Sequence, residues 1–449
     1  MNADRLETAE APPKSLFRGF QLLISVLLVS SFYAHYGDSD SEFISVRDFL
    51  SDSGNTNADQ SQAIQDAWKA LCAGKSKSLV IHANEDYTLL PQVFQGPCVA
   101  SNPHIQIDGK IEAPKLVKDW GSNKTENWLS FDKVSGLTIT GSGLLDPHGE
   151  SWWSSVKFDS RPQALQFNRC NNLIYNGLTQ RNSPKNHISI SNCIQATLSN
   201  LHLIAPANSP NTDGIDISLS QKINIFSSAI QTGDDCIAIN TGSSDINITS
   251  VDCGPGHGIS IGSLGEGGAT ETVENVHVQH CTFTGAENAA RIKTWPGGGG
   301  YARNIWYEDI TLINTKFPII IDQQYEDDSY KYAKGSAVKV SDVTFRYFRG
   351  TCAQPIAINL DCDKIGCGNI VLEHINITSS SPQTSPSAIC RFADVTSSFV
   401  NIDMKCVNHA DLQGPSPSPE LPSQYDQPHA QLPQTSAPHA QARPFLSFL

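Results

Sequence analysis

Residues 211–261 decide the fold, and they read NTDGIDISLSQKINIFSSAIQTGDDCIAINTGSSDINITSVDCGPGHGISI. A short apolar run in this stretch, made of two isoleucines around one smaller or polar residue, returns after 22 residues and again after another 22. A second run of the same kind lies between each pair, and Gly, Asn, Asp and Ser fill the connections. Runs this short between turn residues predict short β-strands in a regular repeat.

The repeat extends beyond this stretch in both directions. The first series of runs is spaced by 27, 22, 22, 31, 29 and 37 residues, and its members are Ile188-Ser189-Ile190, Ile215-Asp216-Ile217, Ile237-Ala238-Ile239, Ile259-Ser260-Ile261, Ala290-Arg291-Ile292, Ile319-Ile320-Ile321 and Ile356-Ala357-Ile358. The second series comprises Ala196-Thr197-Leu198, Ile223-Asn224-Ile225, Ile246-Asn247-Ile248, Val276-His277-Val278 and Ile305-Trp306-Tyr307. A minimum step near 22 residues with almost no helical pattern is typical of a β-helix, in which each strand pairs with its counterpart one coil away, about 4.8 Å along the axis. The sequence therefore predicts an all-β chain folded as a single right-handed parallel β-helix.

Two other all-β architectures fit the pattern less well. A β-propeller needs repeats of roughly 40 to 50 residues to build four antiparallel strands, and the step of 22 residues is too short for them. A β-sandwich has no reason to keep residues in phase over so many turns.

One segment, from Asp59 to Gly74, has helical periodicity. Its apolar positions are Ala63, Ile64, Ala67, Trp68, Leu71 and Cys72. Asn57 or Asp59 is suited to cap the start of this helix, and Gly74 follows its end. We expect a short N-terminal helix that covers the open end of the β-helix.

The composition excludes several classes of protein. The 449 residues include 31 Lys and Arg and 45 Asp and Glu, which gives a formal net charge of −14. The chain lacks the net positive charge that is usual in nucleic-acid-binding proteins, so we expect no nucleic-acid partner. Charged residues make up only 17% of the chain, below the roughly 25% usual in soluble domains. This composition argues against disorder and a coiled coil, and there is no Gly-X-Y period of a collagen.

The N-terminal region has the features of a secretion signal. The apolar segment Leu22–Phe32 follows Lys14 and Arg18 and is shorter than the about 20 residues that span a bilayer. We therefore expect residues 1–34 to be a signal peptide, with an uncleaved signal anchor as the alternative. Three N-glycosylation sequons are compatible with a secreted glycoprotein, and they begin at Asn123, Asn247 and Asn376.

The 12 cysteines are compatible with an oxidising compartment. Their spacings do not match a zinc site, because no Cys-x-x-Cys pair is followed by a second pair at finger spacing. The sequence-near disulfide candidates are Cys236 with Cys253, Cys362 with Cys367, and Cys390 with Cys406. Buried free thiols are plausible for Cys170, Cys193 and Cys281, and the spacing alone does not prove the connectivity.

The composition changes after Gly414. Eight prolines follow among Ser, Gln, His and Ala, at positions 415, 417, 419, 422, 428, 433, 438 and 444. Because so many prolines prevent a packed strand or helix, we expect residues 412–449 to be a disordered tail. The β-helix domain is then expected to span residues 40–411.

Polar residues before the strands of the first series keep the same phase. Asp213, Asp235 and His257 are 22 residues apart, and each lies two residues before the first isoleucine of its run. They should therefore stack on three adjacent coils, with Asp234 at the same edge. Carboxyl groups this close raise one another's pKa, so at least one of them is expected to hold a proton at mildly acidic pH.

A carboxylic acid beside carboxylates is what the hydrolysis of a glycosidic bond requires, because one group protonates the leaving oxygen while another activates water. Asp is also common in turns, where it hydrogen-bonds the local backbone. Three acids and a histidine in phase favour the catalytic interpretation. Glycines next to these residues leave the adjacent backbone without side chains. These glycines are Gly214, Gly233, Gly256 and Gly258.

Two cations follow one coil further on. Arg291 and Lys293 flank Ile292, and with Ile292 inward both cations face outward. Because a guanidinium fork suits a carboxylate, this pair beside an acidic site suggests an anionic sugar. A surface pair that neutralises its neighbours is the alternative. Tyr325 lies on the next coil. Its ring could stack on a sugar ring, and the alternative is an ordinary core or loop tyrosine.

Four ordered motifs resemble the signatures of the polygalacturonases, the glycoside hydrolases that degrade pectin. They are Asn211-Thr212-Asp213-Gly214, Gly233-Asp234-Asp235-Cys236, Gly256-His257-Gly258 and Arg291-Ile292-Lys293. The resemblance runs from about Ile44 to Cys406, and Ser209-Pro210 and Cys253-Gly254-Pro255 are similar to plant members. It implies a parallel β-helix and the inverting hydrolysis of α-1,4-linked galacturonan, without a metal or another cofactor.

The resemblance also implies roles for single residues. Asp234 resembles the general acid, and Asp213 and Asp235 resemble the pair that activates water. His257 resembles the residue that tunes the acid or contacts the substrate. The substrate-binding residues that the resemblance implies are Asn211, Arg291, Lys293 and Tyr325.

Two positions depart from the plant pattern outside the four motifs. Asp146-Pro147-His148-Gly149 stands where plant relatives usually have Asp-Gly-x-Gly, and Gln324-Tyr325-Glu326 stands where they usually have Tyr-Tyr-Cys. The second change leaves Cys352 without an obvious disulfide partner.

These observations predict a secreted, monomeric polygalacturonase of the cell wall that acts on homogalacturonan, a pectic polysaccharide, with maximal activity on the acidic side of neutrality. Whether it cleaves within chains or at their ends does not follow from the motifs. Two alternatives remain: a calcium-dependent β-helix pectate lyase, and a catalytically inactive β-helix that binds pectin. The Asp-Asp pair beside Arg-x-Lys favours hydrolysis over elimination.

Overall fold

The computed structural model describes residues 41–50, 60–121, 126–325 and 337–407. Several predictions fall outside these residues, namely the signal peptide 1–34, the tail 412–449, the expected helix caps Asn57 and Asp59, the sequon at Asn123 and the departure at Glu326. No helix within the described ranges is long and apolar enough to cross a membrane.

The strands form two long parallel sheets. Most coils contribute one strand to the smaller sheet and one or two strands to the larger sheet. The smaller sheet contains Gln92–Gln95, Asn127–Asp132, Gln163–Asn168, Ile188–Ser191, Ile215–Ser218, Ile237–Ile239, Ile259–Leu264, Asn288–Thr294, Phe317–Asp322, Ile356–Asp361 and Ser387–Arg391. The larger sheet contains Ser41–Ser45, Ser76–Ile81, Asp86–Thr88, His104–Ile107, Lys110–Glu112, Thr138–Thr140, Leu144–Asp146, Leu173–Asn176, Thr179–Arg181, Ile194–Ser199, His202–Ile204, Gln221–Gln231, Ser243–Cys253, Thr270–Gln279, Thr282–Thr284, Gly299–Thr315, Lys339–Cys352, Cys367–Ser379 and Ala393–Val400. This is the predicted right-handed parallel β-helix.

The isoleucine ladders explain why the coils stack in this register. In the smaller sheet Ile215 pairs with Ile237, which pairs with Ile259, and all three are completely buried. Each buried side chain of this size stabilises the fold by roughly 1.5–3 kcal/mol relative to exposure. Because side chains alternate across a strand, a slip by one residue would turn every isoleucine outward. The 22-residue spacing therefore sets which polar residues become neighbours.

The last member of the first predicted series is wrong by two residues. Ile358 pairs with Ile319, and Leu360 pairs with Ile321, so Ile356 lies one inward position earlier. The register is irregular between Ile356 and Ile358 where this strand meets the next coil. The apolar alternation runs through the whole strand, and the sequence pattern alone did not tell which pair stands opposite Ile319.

The predicted helix spans Ser61–Cys72. It begins after Gln60, whose side chain does not cap it, because its oxygen accepts a hydrogen bond from the Thr88 amide at 2.8 Å. Trp68 packs edge-on against two rings of the β-helix interior, Phe94 at 5.6 Å and Phe131 at 5.7 Å between centroids. The other helical segments within the described ranges are Glu150–Trp153 and the 3₁₀ turns Val46–Phe49, Val117–Trp120, Phe158–Ser160 and Glu266–Gly268. That the helix closes the end of the β-helix stays a prediction.

All three candidate disulfides are formed. They are Cys236–Cys253, Cys362–Cys367 and Cys390–Cys406. A fourth, Cys72–Cys98, was not predicted from spacing, because its partners lie 26 residues apart and on different elements. The remaining cysteines are buried free thiols, as was plausible for three of them, and they are Cys170, Cys193, Cys281 and Cys352.

Candidate active site

The predicted acids lie on loops that lead into the smaller sheet. Its register places Asp213, Asp235 and His257 at equivalent positions on three successive coils. Backbone hydrogen bonds join these loops directly. The Gly214 amide donates to the Asp235 carbonyl at 2.9 Å, and the His257 amide donates to the Asp234 carbonyl at 2.8 Å.

Two glycines allow the loops to approach so closely. A Cβ atom at Gly233 would lie 2.0 Å from the carbonyl oxygen of Ser209. At Gly258, where φ is +95°, a Cβ atom would lie 2.5 Å from the carbonyl oxygen of Asn288. A larger residue at either position would push apart the loops that carry the acids, because two backbones cannot yield as a flexible side chain can.

Asp234 and His257 form an ion pair, with 3.0 Å between Oδ1 and Nδ1. The same Oδ1 atom accepts a hydrogen bond from the Asp235 amide at 2.8 Å. Burial acts to raise the pKa of Asp234, but the hydrogen bond with His257 and the charges of His257 and Lys293 outweigh it, and the pKa lies below its ordinary value. Burial acts to lower the pKa of His257, whereas the bond to Asp234 and the nearby negative charges raise it above its ordinary value. In the free site this pair therefore holds its proton on the imidazole.

Asp235 is fixed as a buried carboxylate. Its side chain is held at both oxygens, because Ser260 Oγ donates to Oδ1 at 2.7 Å and Lys293 Nζ donates to Oδ2 at 2.7 Å. Asp235 is 1% exposed and Lys293 is 8% exposed. The ammonium of Lys293, which the resemblance implies as a substrate binder, is thus engaged by Asp235.

Asp213 and a second carboxyl group, Asp216, have raised pKa values. Burial raises the pKa of Asp213 well above its ordinary value, and the charges of Asp216, Asp234 and Asp235 add to this effect. Burial, together with the charges of Asp235 and Asp234, raises the pKa of Asp216 to about 7. One oxygen of Asp216, Oδ1, is buried without a hydrogen-bond partner. At mildly acidic pH Asp216 therefore holds a proton, whereas Asp234 is ionised.

Arg291 and Tyr325 form an aromatic and cationic wall beside the acids. The Arg291 guanidinium and the Lys293 ammonium each lie 5.4 Å from the centroid of the Tyr325 ring. Trp295 packs edge-on against the same ring, with 5.7 Å between centroids. A cation near an aromatic face is attracted to it, so the ring helps to hold Arg291 in place. This arrangement offers a guanidinium for a carboxylate and a ring for the face of a sugar.

The loop before Asp213 is held by a short hydroxyl network. Asn211 has a left-handed backbone with φ of 58°, which asparagine tolerates better than most residues. Thr212 Oγ1 lies 2.6 Å from Ser209 Oγ and accepts a hydrogen bond from the Gly233 amide at 2.9 Å. This network fixes Asn211 next to the acids, and its contact with a ligand stays a prediction.

A metal ion would find three ligand atoms in this site. One atom from each of Asp234, Asp235 and His257 lies within 4.8 Å of the other two. Both carboxylates are, however, already neutralised, Asp234 by His257 and Asp235 by Lys293. The donor set therefore fits a charge-balanced proton-transfer site better than a vacant cation site.

Sequence reasoning missed Ser260 and Asp216 as members of the site. Both stand at the middle of an isoleucine run, where the side chain faces outward next to the acids. The series Ser189, Asp216, Ala238, Ser260 and Arg291 pairs coil by coil in this column. The alternation of inward and outward positions was the signal that could have found them.

Comparison with known proteins agrees with this arrangement. The family model described as "Glycosyl hydrolases family 28" matches residues 72–399. A probable polygalacturonase of Arabidopsis thaliana is 46% identical over 333 residues, which are 73% of this chain and 72% of that protein. A polygalacturonase of Persea americana is 40% identical over 343 residues, which are 74% of this chain and 73% of that protein. A solved exopolygalacturonase from Thermotoga maritima has the same fold, with a TM-score of 0.67 at 20% identity over 80% of this chain and 91% of that one. The chain therefore belongs to family 28 of the glycosyl hydrolases.

Proposed function

We propose that this protein hydrolyses the α-1,4-galacturonosidic bonds of homogalacturonan, with inversion at the anomeric carbon. The observation that carries the proposal is the stack of Asp213, Asp234 and Asp235 on adjacent coils, paired with His257 and flanked by Arg291. Hydrolysis needs a proton donor and a base on two sides of the scissile bond, and these groups supply both. The relatives named polygalacturonase support an acidic pectic substrate.

The proton for the leaving oxygen comes from the Asp234–His257 pair. The free pair holds its proton on the imidazole, 3.0 Å from Asp234 Oδ1. As the substrate carboxylate and the exclusion of water make ionised Asp234 less favourable, the proton passes to Asp234 and from there to the glycosidic oxygen. The bond between that oxygen and the anomeric carbon breaks, and neutral His257 remains beside the Asp234 carboxylate.

Asp213 and Asp235 orient and activate the attacking water. Lys293 and Ser260 hold Asp235 as a fixed acceptor for one water hydrogen. The raised pKa of Asp213 makes its ionised carboxylate a strong base, so it takes the proton as the water oxygen bonds to the anomeric carbon. Lys293 therefore acts by positioning Asp235, and Arg291 with Tyr325 holds the galacturonate unit.

The calcium-dependent lyase alternative differs in its products and its requirements. Elimination leaves an unsaturated end that absorbs ultraviolet light, whereas hydrolysis leaves a new reducing end without this absorption. The carboxylates of this site are neutralised by Lys293 and His257, an arrangement that favours hydrolysis. Ultraviolet-absorbing products that disappear with a chelator would overturn the proposal.

The experiment that tests the proposal is a reducing-end assay on polygalacturonate with the wild type and Asp234→Asn. We expect the substitution to lower kcat by about a hundredfold or more, because Asn cannot donate the proton. The matched control is Asp252→Asn, an exposed aspartate of the larger sheet, which should retain full activity. Equal rates for the wild type and Asp234→Asn would remove Asp234 as the acid. An inactive wild type that still binds polygalacturonate would favour the binding protein.

We also propose that the protein acts outside the cell, in the cell wall, as a monomer. Four disulfides within the described part of the chain support an oxidising compartment. Recovery of the protein in the medium of expressing plant cells, followed by light scattering of the purified material, tests both statements. Retention in the cell, or a dimer mass, would contradict them.

A further inference from the structure

A group of polar and aromatic residues lies next to the acids on the N-terminal side of the site, opposite to Arg291. The strand Ile188–Ser191 pairs with Ile215–Ser218, so Asn186 occupies the position equivalent to Asp213 on the preceding coil. The His187 amide donates to the Asp213 carbonyl at 2.8 Å, which joins the two loops directly. We call this group of residues, Phe158, Lys185 and Asn186, the N-terminal flank.

The N-terminal flank contains buried polar atoms without hydrogen-bond partners. Asn186 is 1% exposed, and neither its amide nitrogen nor its amide oxygen has a hydrogen-bond partner among the described residues. Oδ1 of Asp216, on the next coil, is in the same state. Buried polar groups are normally hydrogen-bonded, and leaving them unpaired destabilises the fold. A ligand rich in hydroxyl groups would satisfy these atoms, directly or through water.

Lys185 brings a positive charge to the N-terminal flank. Its Nζ atom lies 4.1 Å from the centroid of the Phe158 ring. No carboxylate among the described residues forms an ion pair with it. Its charge reaches Asp216, where it counteracts the raising of the pKa by burial and by Asp235.

A second cation fixes the loop that carries Phe158. Arg161 donates to three backbone carbonyls, those of Val156 at 3.0 Å, Pro210 at 3.1 Å and Trp153 at 3.3 Å. The contact with Pro210 ties this loop to the segment that leads into Asp213. The ring beneath Lys185 is therefore held on the same rigid frame as the acids, and the lysine is preorganised for a ligand.

We propose that Lys185 binds the carboxylate of a galacturonate unit on the N-terminal side of the cleavage point, with Asn186 hydrogen-bonding hydroxyl groups of the same stretch. This inference rests on the proposed function and specifies its substrate. Lys185 and Arg291 belong to coils four steps apart, which is about 19 Å at 4.8 Å a step. The protein thus grips a polyanion on both sides of the acids and requires a stretch of several acidic sugars.

The test compares Lys185→Met with the wild type on galacturonate oligomers of increasing length. On oligomers long enough to span both cations we expect KM to rise about tenfold, with kcat little changed, because a binding charge is lost. Dimers, which place only one unit on each side of the cleaved bond, should show a much smaller difference between the two proteins. Lys185→Arg should restore most of the affinity. The matched control, Lys77→Met on an exposed strand position of the larger sheet, should behave as wild type.

Two further arms separate this inference from the proposed function. Calorimetry of hexagalacturonate binding to Asp234→Asn, with and without Lys185→Met, measures the contact without turnover, so it holds even if the wild type does not cleave. Fully methyl-esterified oligomers should show no difference between the two proteins, because they lack the carboxylate. Equal affinities for the acidic hexamer, or the same loss on every length, would overturn the role of Lys185 while leaving hydrolysis intact.

Discussion

At the scale of single residues, the site is organised by where its protons lie. Three carboxyl groups of the same type differ because their partners differ. Asp234 is ionised beside His257, Asp235 is held by Lys293 and Ser260, and Asp213 forms no ion pair with any described residue. Burial raises the pKa of a carboxyl group, and only a close cation or donor reverses the effect. The proposed roles of these three aspartates, as acid, acceptor and base, follow from these different partners.

The pH dependence tests the Asp234–His257 pair. Because the pKa of His257 is raised, the pair keeps its proton to higher pH, and kcat/KM should fall only as pH rises through that pKa. In His257→Asn the proton must reside on the Asp234 carboxyl, which releases it at lower pH. We expect the alkaline limb of the kcat/KM profile to move down by about one pH unit or more.

The control for this prediction is a second histidine–carboxylate pair. His277 and Glu308 lie 3.2 Å apart on the larger sheet, away from the acids. His277→Asn should leave the profile unchanged. An alkaline limb that stays in place in His257→Asn would show that the pair does not carry the catalytic proton.

At the scale of elements, parallel coils turn distant segments into neighbours and then fix them. Cys236 directly follows Asp235, and its disulfide partner Cys253 ends the strand that precedes the Gly256–Gly258 loop. This link holds two of the three loops that carry the proposed catalytic residues at their close approach. Stability and catalysis are therefore coupled at this one bond.

Removal of the disulfide should affect both properties. Cys236→Ala with Cys253→Ala opens a ring of 17 residues, and we expect the free energy of unfolding to fall by about 3 kcal/mol. We also expect a lower kcat, because the acids lose their fixed spacing. Denaturant unfolding and the reducing-end assay measure the two effects.

Cys390→Ala with Cys406→Ala is the matched control for this prediction. Its ring is nearly equal, with a separation of 16 residues, but it lies at the last described coil. It should lose a similar free energy of unfolding and keep its kcat. A kcat that falls equally in both double variants would contradict a specific role for the Cys236–Cys253 bond.

At the scale of the whole molecule, an acidic protein must hold a polyanion. The net charge of −14 repels polygalacturonate at long range. The cations that oppose this repulsion are local, and Arg291 and Lys185 flank the acids. Salt screens long-range repulsion more strongly than contacts within a partly buried site.

This balance predicts an unusual salt dependence. Raising the ionic strength from about 10 mM to about 150 mM shortens the screening length from roughly 30 Å to 8 Å. We expect KM for polygalacturonate to fall about two- to fivefold over this range, as repulsion by the whole molecule is screened. Arg291→Gln should have a KM about tenfold higher than wild type at each ionic strength. A wild-type KM that rises steadily with salt would show that local attraction, rather than net charge, dominates association.

The sequence pattern predicted much of the fold and of the arrangement of the site. The 22-residue step predicted the β-helix and the neighbours Asp213, Asp235 and His257, because coils of equal length bring equal positions together. The prediction weakened where coil lengths vary. The long connection after Asp322 hid the register of the next strand, and Ile356 was placed two residues from the true partner of Ile319.

The sequence by itself determined the architecture, the order of the acids along the axis and the residue types in the site, because strand alternation and a constant repeat are local properties of the chain. The packed structure was needed to show which groups hold protons and that Lys293 is engaged by Asp235, 58 residues away. It was also needed to show that Lys185 has no ion pair, and the Asn186 amide no hydrogen bond, within the described residues. These properties depend on burial and on distances of a few ångströms between side chains far apart in sequence. Spacing brings such residues to the same edge, but the packed loops set their partners.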